Sequence, residues 1–128
     1  MPSLKYLADN NYNMVYMKKP VNLGEFEQVV LLAVLRLTEQ GAYGVSIRAE
    51  IARCTKRKPT PGAIYTTLER LERKGLVSSS VGEATPMRGG KAKRYYRVNA
   101  RGVTALNRAL SAFQSLSKGL VAVGESGG

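Results

Sequence analysis

Two clusters of side chains in this sequence could do chemistry by their type and spacing, and both are cationic. Lys56-Arg57-Lys58 stands just before Thr60-Pro61-Gly62-Ala63, a run of small residues. Further on, Arg88-Gly89-Gly90-Lys91 is followed by Lys93-Arg94. Cations set beside small residues and exposed backbone amides grip phosphates and leave covalent bonds alone.

The wider charge distribution agrees. Twenty Lys and Arg against nine Asp and Glu give a net charge of +11. Between Lys56 and Arg101 there are twelve basic residues and only three acidic ones, Glu69, Glu72 and Glu83. A surplus of nine therefore sits in about a third of the chain. Solubility does not require such clustering, whereas a polyanionic partner does. A basic run on its own is usually a solvated turn, so Lys56 to Lys58 gain meaning from standing against a helix start.

Other chemistries are short of residues. The chain has no histidine and one cysteine, Cys54. An ordinary Cys/His zinc site, histidine acid–base catalysis and a histidine-activated nucleophile are therefore excluded, and so is an intrachain disulfide. The glycines around Gly89 do not precede a phosphate-loop helix. No enzyme activity, metal or cofactor is expected. The start lacks a basic region followed by an apolar run, as a signal peptide would have. The longest apolar run, Val29 to Leu35, falls far short of the roughly 20 residues that cross a bilayer. No membrane partner is expected, and the single cysteine suits a reducing cytoplasm.

The elements that must position the cations can be read in order. Residues 1–22 form an N-terminal extension without sustained period. Its Tyr6, Tyr12, Tyr16, Met14 and Met17 either fray, leaving it flexible, or dock on the domain or on a partner chain. Gly24 to Gln40 reads as a central helix, apolar on most sides, with Glu25 and Glu27 complementing its dipole and Gly41 as its stop. A shorter helix, Val45 to Cys54, carries one stripe of Ile47 and Ile51, with Arg48 and Arg53 facing elsewhere. Thr60 and Pro61 then start a helix that runs to Lys74 and ends at Gly75. Its core stripe is Ile64, Leu68 and Leu71.

Leu76 to Val81 and Lys93 to Val98 read as two strands of a hairpin with a long basic tip. A last helix covers Ala100 to Leu120. The fold expected is mainly α with a small β-hairpin, a winged helix-turn-helix. The domain would span residues 23–99, a dimerisation helix 100–121 and a flexible tail 122–128.

Such a frame suits a duplex. A helix matches the major groove, and its N-terminal residues approach the base edges. The candidate DNA-binding residues of the helix and its preceding turn are Lys56, Arg57, Lys58, Thr60, Gly62, Ala63, Tyr65, Thr66 and Arg70. Thr66 and Arg70 are the candidates for sequence preference. Tyr65 either packs beneath the helix or offers its hydroxyl to a phosphate. Glu69 is expected to pair with Arg73 rather than read a base. In the wing the candidates are Arg88, Gly89, Gly90, Lys91, Lys93 and Arg94, with Arg88 able to enter a minor groove. Val103, Leu106, Leu110, Phe113, Leu116 and Leu120 line one face of the last helix, long for so small a domain and suited to a second copy. The competing reading is a protein-interaction module whose basic face docks an acidic protein.

From about Leu23 to Leu110 the chain resembles the PadR family of transcriptional regulators. The likeness rests on Leu31-Leu32-Ala33-Val34-Leu35, on Gly41-Ala42-Tyr43-Gly44 followed by Ile47, and above all on Pro61-Gly62-Ala63-Ile64-Tyr65 with Leu68 to Val77. Gly90 to Val98, then Gly102 and Leu106, complete it. The resemblance implies a winged helix, a homodimer built through terminal helices, and repression of target promoters. It implies that Pro61 to Arg70 is the DNA-reading helix and the basic hairpin the wing. The short C-terminus looks like the subfamily with a single C-terminal helix. Some members respond to small molecules, which leaves an effector open.

Overall fold

The computed structural model describes residues 21–82 and 92–124. The expected extension up to Pro20, the wing tip with Arg88, Gly89, Gly90 and Lys91, and the last four residues of the tail lie outside the described residues.

The first described helix, α1 (Glu25–Arg36), begins at Gly24, whose amide donates to Glu27 Oε1 at 2.8 Å. Its apolar positions Val30, Leu31, Ala33 and Val34 are buried. It is the central element, touching α2 (Gly44–Thr55), α3 (Pro61–Arg73), β2 (Arg94–Val98) and α4 (Ala100–Ser117). It stops four residues before the expected Gln40. Leu37 N–H is shared between the Ala33 and Val34 carbonyls, and Thr38 Oγ1 donates to the Leu35 carbonyl, so the last turn tightens and ends. Gly41, at φ 104°, then turns the chain, its amide bonded to the Leu37 carbonyl.

The α2 and α3 helices follow the expected pattern closely. Ile47 and Ile51 of α2 and Ile64, Leu68 and Leu71 of α3 are fully or almost fully buried against α1. Thr60 Oγ1 accepts from the Ala63 amide at 3.1 Å, and Pro61 occupies the first helical position. Together they set where α3 begins. At its far end Gly75 takes φ 77°, and Leu76 N–H bonds back to the Leu71 carbonyl.

The hairpin pairs β1 (Val77–Val81) with β2, Val77 opposite Val98 and Val81 opposite Arg94. It is not free-standing. Tyr96 N–H donates to the Ala42 carbonyl at 2.8 Å, so the turn between α1 and α2 acts as a third edge. Tyr96 itself is buried in the core, and Tyr95 meets Tyr43 edge to face at 5.4 Å.

Asn99 joins the hairpin to α4. Its Oδ1 accepts from the Gly102 amide, while its Nδ2 donates to the Gly75 carbonyl at 2.9 Å. Gly102 lies so close to β1 that a Cβ there would fall 2.3 Å from the Leu76 carbonyl oxygen. Only glycine lets α4 settle at that distance. The expected single helix to Leu120 is corrected in one respect. It ends at Ser117, Lys118 is extended, Gly119 is left-handed at φ 83°, and a short α5 (Val121–Gly124) follows.

Candidate nucleic-acid interface

The Thr60 cap leaves the first turn of α3 open to solvent. Thr60, Pro61, Gly62, Ala63 and Thr66 are all exposed, on the side opposite Ile64, Thr67, Leu68 and Leu71. The turn before it is ordered by the backbone. Lys56 adopts a left-handed conformation at φ 63°, with its amide on the Ala52 carbonyl. Arg57 N–H is held by Thr55 Oγ1 at 3.1 Å. The Lys56 and Lys58 side chains are exposed beside the helix start.

Tyr65 links this turn to α2. It is 49% exposed, and its hydroxyl lies where a Cβ on Gly44 would stand. The outer edge of the half-exposed ring, hydroxyl included, therefore rests against the first residue of α2. Next to Gly44, Tyr43 carries Lys93 Nζ at 5.0 Å from its ring centroid. Helix start, Tyr65, Tyr43 and the base of the wing thus form one continuous strip.

Two predicted arginines point elsewhere. Arg57 Nη1 lies 2.6 Å from Glu25 Oε2, and its guanidinium stands over the Phe26 ring. Arg70 Nη1 is 3.7 Å from Glu27 Oε2. Both are drawn toward the first turn of α1. Arg94 donates to Ser79 Oγ at 3.1 Å, and that hydroxyl donates to Glu72. Among the described residues Glu69 and Arg73 form no ion pair, and Glu72 instead accepts from Ser79.

The electrostatics of the frame centre on two carboxylates. Glu27 is buried, which pushes its carboxyl up. Against that, Lys74 Nζ bonds both oxygens at 2.9 Å, the Gly24 amide adds a third bond, and Lys74 and Arg70 add positive charge, so the group ends below its usual range. Glu50 bridges Arg53 and Arg36, each at 2.6 Å, and is held down at about 2. Sequence reasoning gave Glu25 and Glu27 to the helix dipole only. Their partners are 32 and 43 residues or more away (Arg57 from Glu25, Arg70 from Glu27), and no local pattern announces them.

The expected dimer face divides. Leu106 is buried in the protomer's own core, a correction that follows from the close approach of α4 at Gly102, and Leu110 is partly buried against the same core. Val103 is half-buried. Phe113, Leu116 and Leu120 are 60, 79 and 52% exposed.

The chain matches the sequence profile described as "Transcriptional regulator PadR-like family" over residues 31–108. That span runs from the second half of α1 through the first half of α4, and so takes in α2, α3 and the hairpin. This protein belongs to the PadR-like family. Its frame, four main helices with a two-stranded antiparallel hairpin, is the PadR winged helix. Solved structures of similar fold include a PadR-like transcription factor from Bacteroides fragilis, at TM-score 0.62 and 20% identity, covering 88% of this chain and 99% of that one. A PadR-like transcriptional regulator from Bacillus cereus aligns at TM-score 0.59 and 16% identity, over 78% of this chain and 91% of that one. A PadR family regulator from Clostridium difficile aligns at 0.54 and 24%, over 70% and 91%. No curated protein matches the chain. As a PadR-like regulator the chain is a DNA-binding regulator of transcription. Among the described residues no helix is long and apolar enough to cross a membrane.

Proposed function

We propose that this PadR-like chain is a homodimeric repressor that reads an inverted-repeat operator in double-stranded DNA. The observation that carries the reading is the open first turn of α3, flanked by the exposed Lys56 and Lys58 and capped by Thr60. Gly62, Ala63 and Thr66 approach base edges in the major groove, where small side chains let the backbone come close. Lys56, Lys58 and Tyr65 hold flanking phosphates, and the Gly62 amide in the first turn of α3 lends the positive end of the helix dipole. The wing, with Arg88, Gly89, Gly90, Lys91 and Lys93, lies along the backbone or inserts Arg88 into the minor groove. Exposed apolar residues at the end of α4 pair two copies and place two α3 helices about one DNA turn, roughly 34 Å, apart.

Selection of bound sequences from a random duplex pool tests this reading. The expected product is a palindrome with half-sites one turn apart. Transcription from a promoter carrying it should then fall when the protein is added. A pool that shows no enrichment, or a selected site without two-fold symmetry, overturns it.

A further inference from the structure

Opposite its buried side, α3 presents one narrow stripe. Gly62, Thr66, Glu69 and Arg73 are all exposed and recur at helical spacing. With 3.6 residues per turn they fall within a sector of about 60°. Ile64, Thr67, Leu68 and Leu71 fill the other side of the helix. Glu69 stands on this stripe about 10 Å along the axis from Gly62, at 1.5 Å per residue. Along a duplex that is about three base-pair steps of 3.4 Å.

A carboxylate is out of place there. The chain carries a net charge of +11, and its other acidic side chains near α3 are engaged: Glu25 by Arg57, Glu27 by Lys74 and Glu72 by Ser79. Among the described residues Glu69 has no ion pair, although Arg73 lies one turn beyond it on the same stripe. An anion turned toward a polyanion is repelled unless a donor meets it. The floor of the major groove holds such donors only on two bases. Cytosine presents its N4 amino group alone, whereas adenine sets its N6 amino group beside the N7 acceptor. Guanine and thymine present acceptors, which a carboxylate shuns.

Resting on the reading of α3 as the helix that enters the major groove, we propose that Glu69 is a specificity-determining residue of this regulator and selects cytosine. Its carboxylate accepts from the cytosine N4 amino group. The same charge penalises every other base at that step, so Glu69 gains discrimination at the expense of general affinity for DNA. The cytosine lies about three base pairs along the groove from the step that Gly62 approaches, once in each half-site.

The test compares the sites that wild type, Glu69→Gln and Glu69→Ala select from a random duplex pool. Wild type is expected to hold one C·G pair in each half-site, and replacing that pair should weaken its binding on the order of tenfold. Glu69→Gln should move the same position toward A·T, because glutamine pairs with adenine N6 and N7, and should leave the rest of the site unchanged. Glu69→Ala should lose preference at that position and bind a mixed-sequence duplex at least as tightly as wild type by fluorescence anisotropy. Since the side chain is exposed, both variants should melt with wild type. A merely structural glutamate would not exchange one base for another. Wild-type and Glu69→Gln sites that are identical overturn the role of Glu69 alone, and so does an Ala variant that keeps the cytosine. A wild-type pool without enrichment overturns the operator reading and the cytosine contact with it.

Discussion

Arg57 Nη1 and Glu25 Oε2 stand 2.6 Å apart, joining the turn before α3 to the first turn of α1. Arg57 also covers the Phe26 ring at 5.4 Å. One of the three cations in the turn before the DNA-reading helix is therefore paired within the chain. Glu25 is 71% exposed, and an exposed pair of this kind contributes only about 0–1 kcal/mol. A duplex competes with it easily. Glu25→Gln should release Arg57 for phosphate contact. The expected outcome is tighter binding to mixed duplex, a salt slope steeper by up to about 0.9, and a melting temperature close to wild type. Anisotropy titrations at several KCl concentrations measure all but the last. An unchanged slope would show that Arg57 stays on Phe26 even without its carboxylate.

Glu27 behaves differently because it is buried and held by Lys74 and the Gly24 amide. Its carboxyl lies below the usual range when folded, so ionised Glu27 contributes stability above the ordinary carboxylate pKa of about 4.3. That contribution fades as pH falls through the folded value. Glu27→Gln should cost about 2 kcal/mol at pH 7, since Lys74 loses a charged acceptor while remaining partly solvated. The gap between wild type and variant should narrow as the pH is taken from 5 toward 3. Urea unfolding at a series of pH values measures it, and a gap that stays constant with pH would contradict the assignment.

What could be read ahead of the structure was whatever is written locally. Thr60, Pro61 and Gly75 bracket α3 through caps that need only neighbours. The alternation in Tyr95, Tyr96 and Val98 marks a strand without reference to the rest of the chain. The pairings of Arg57 and Arg70 were not legible, because they join residues far apart in sequence whose meeting depends on how α1 packs. Leu106 was misjudged for a related reason. A continuous apolar stripe on α4 does not say where the protomer's own core ends, and that point is set by Gly102 against Leu76. The break at Lys118-Gly119 was legible in the glycine itself, but the apolar Leu120 masked it.

Gly44 and Tyr65 should behave as one unit. A Cβ at residue 44 would fall 2.1 Å from the Tyr65 hydroxyl oxygen. Tyr65 is half-exposed, so Gly44→Ala pushes the ring outward instead of unfolding the domain. Stability is expected to fall by no more than about 1 kcal/mol, partly offset by the better helix propensity of alanine. Duplex binding should fall by about as much as in Tyr65→Ala, near tenfold for a lost hydrogen bond to a charged acceptor. The double variant should bind no worse than either single one, because both remove the same contact. Additive losses would mean that Gly44 serves the interface independently of the tyrosine.

The two halves of α4 predict opposite phenotypes. Leu106 is 2% exposed in the single chain, so Leu106→Ala creates a cavity and should cost about 2–5 kcal/mol. Phe113 and Leu116 make no such contribution, being 60 and 79% exposed. Paired across two copies, they supply the apolar area that holds a dimer. Changing both to Glu should yield a well-folded monomer by light scattering at micromolar concentration. Any loss of melting temperature should be confined to the part that depends on protein concentration. The monomer should keep its affinity for a single half-site and lose the gain that comes from engaging two at once, which for linked sites amounts to a factor of about 10²–10⁴. A variant that remains dimeric with both glutamates in place would move the interface away from the end of α4 and remove the basis for half-sites spaced by that helix.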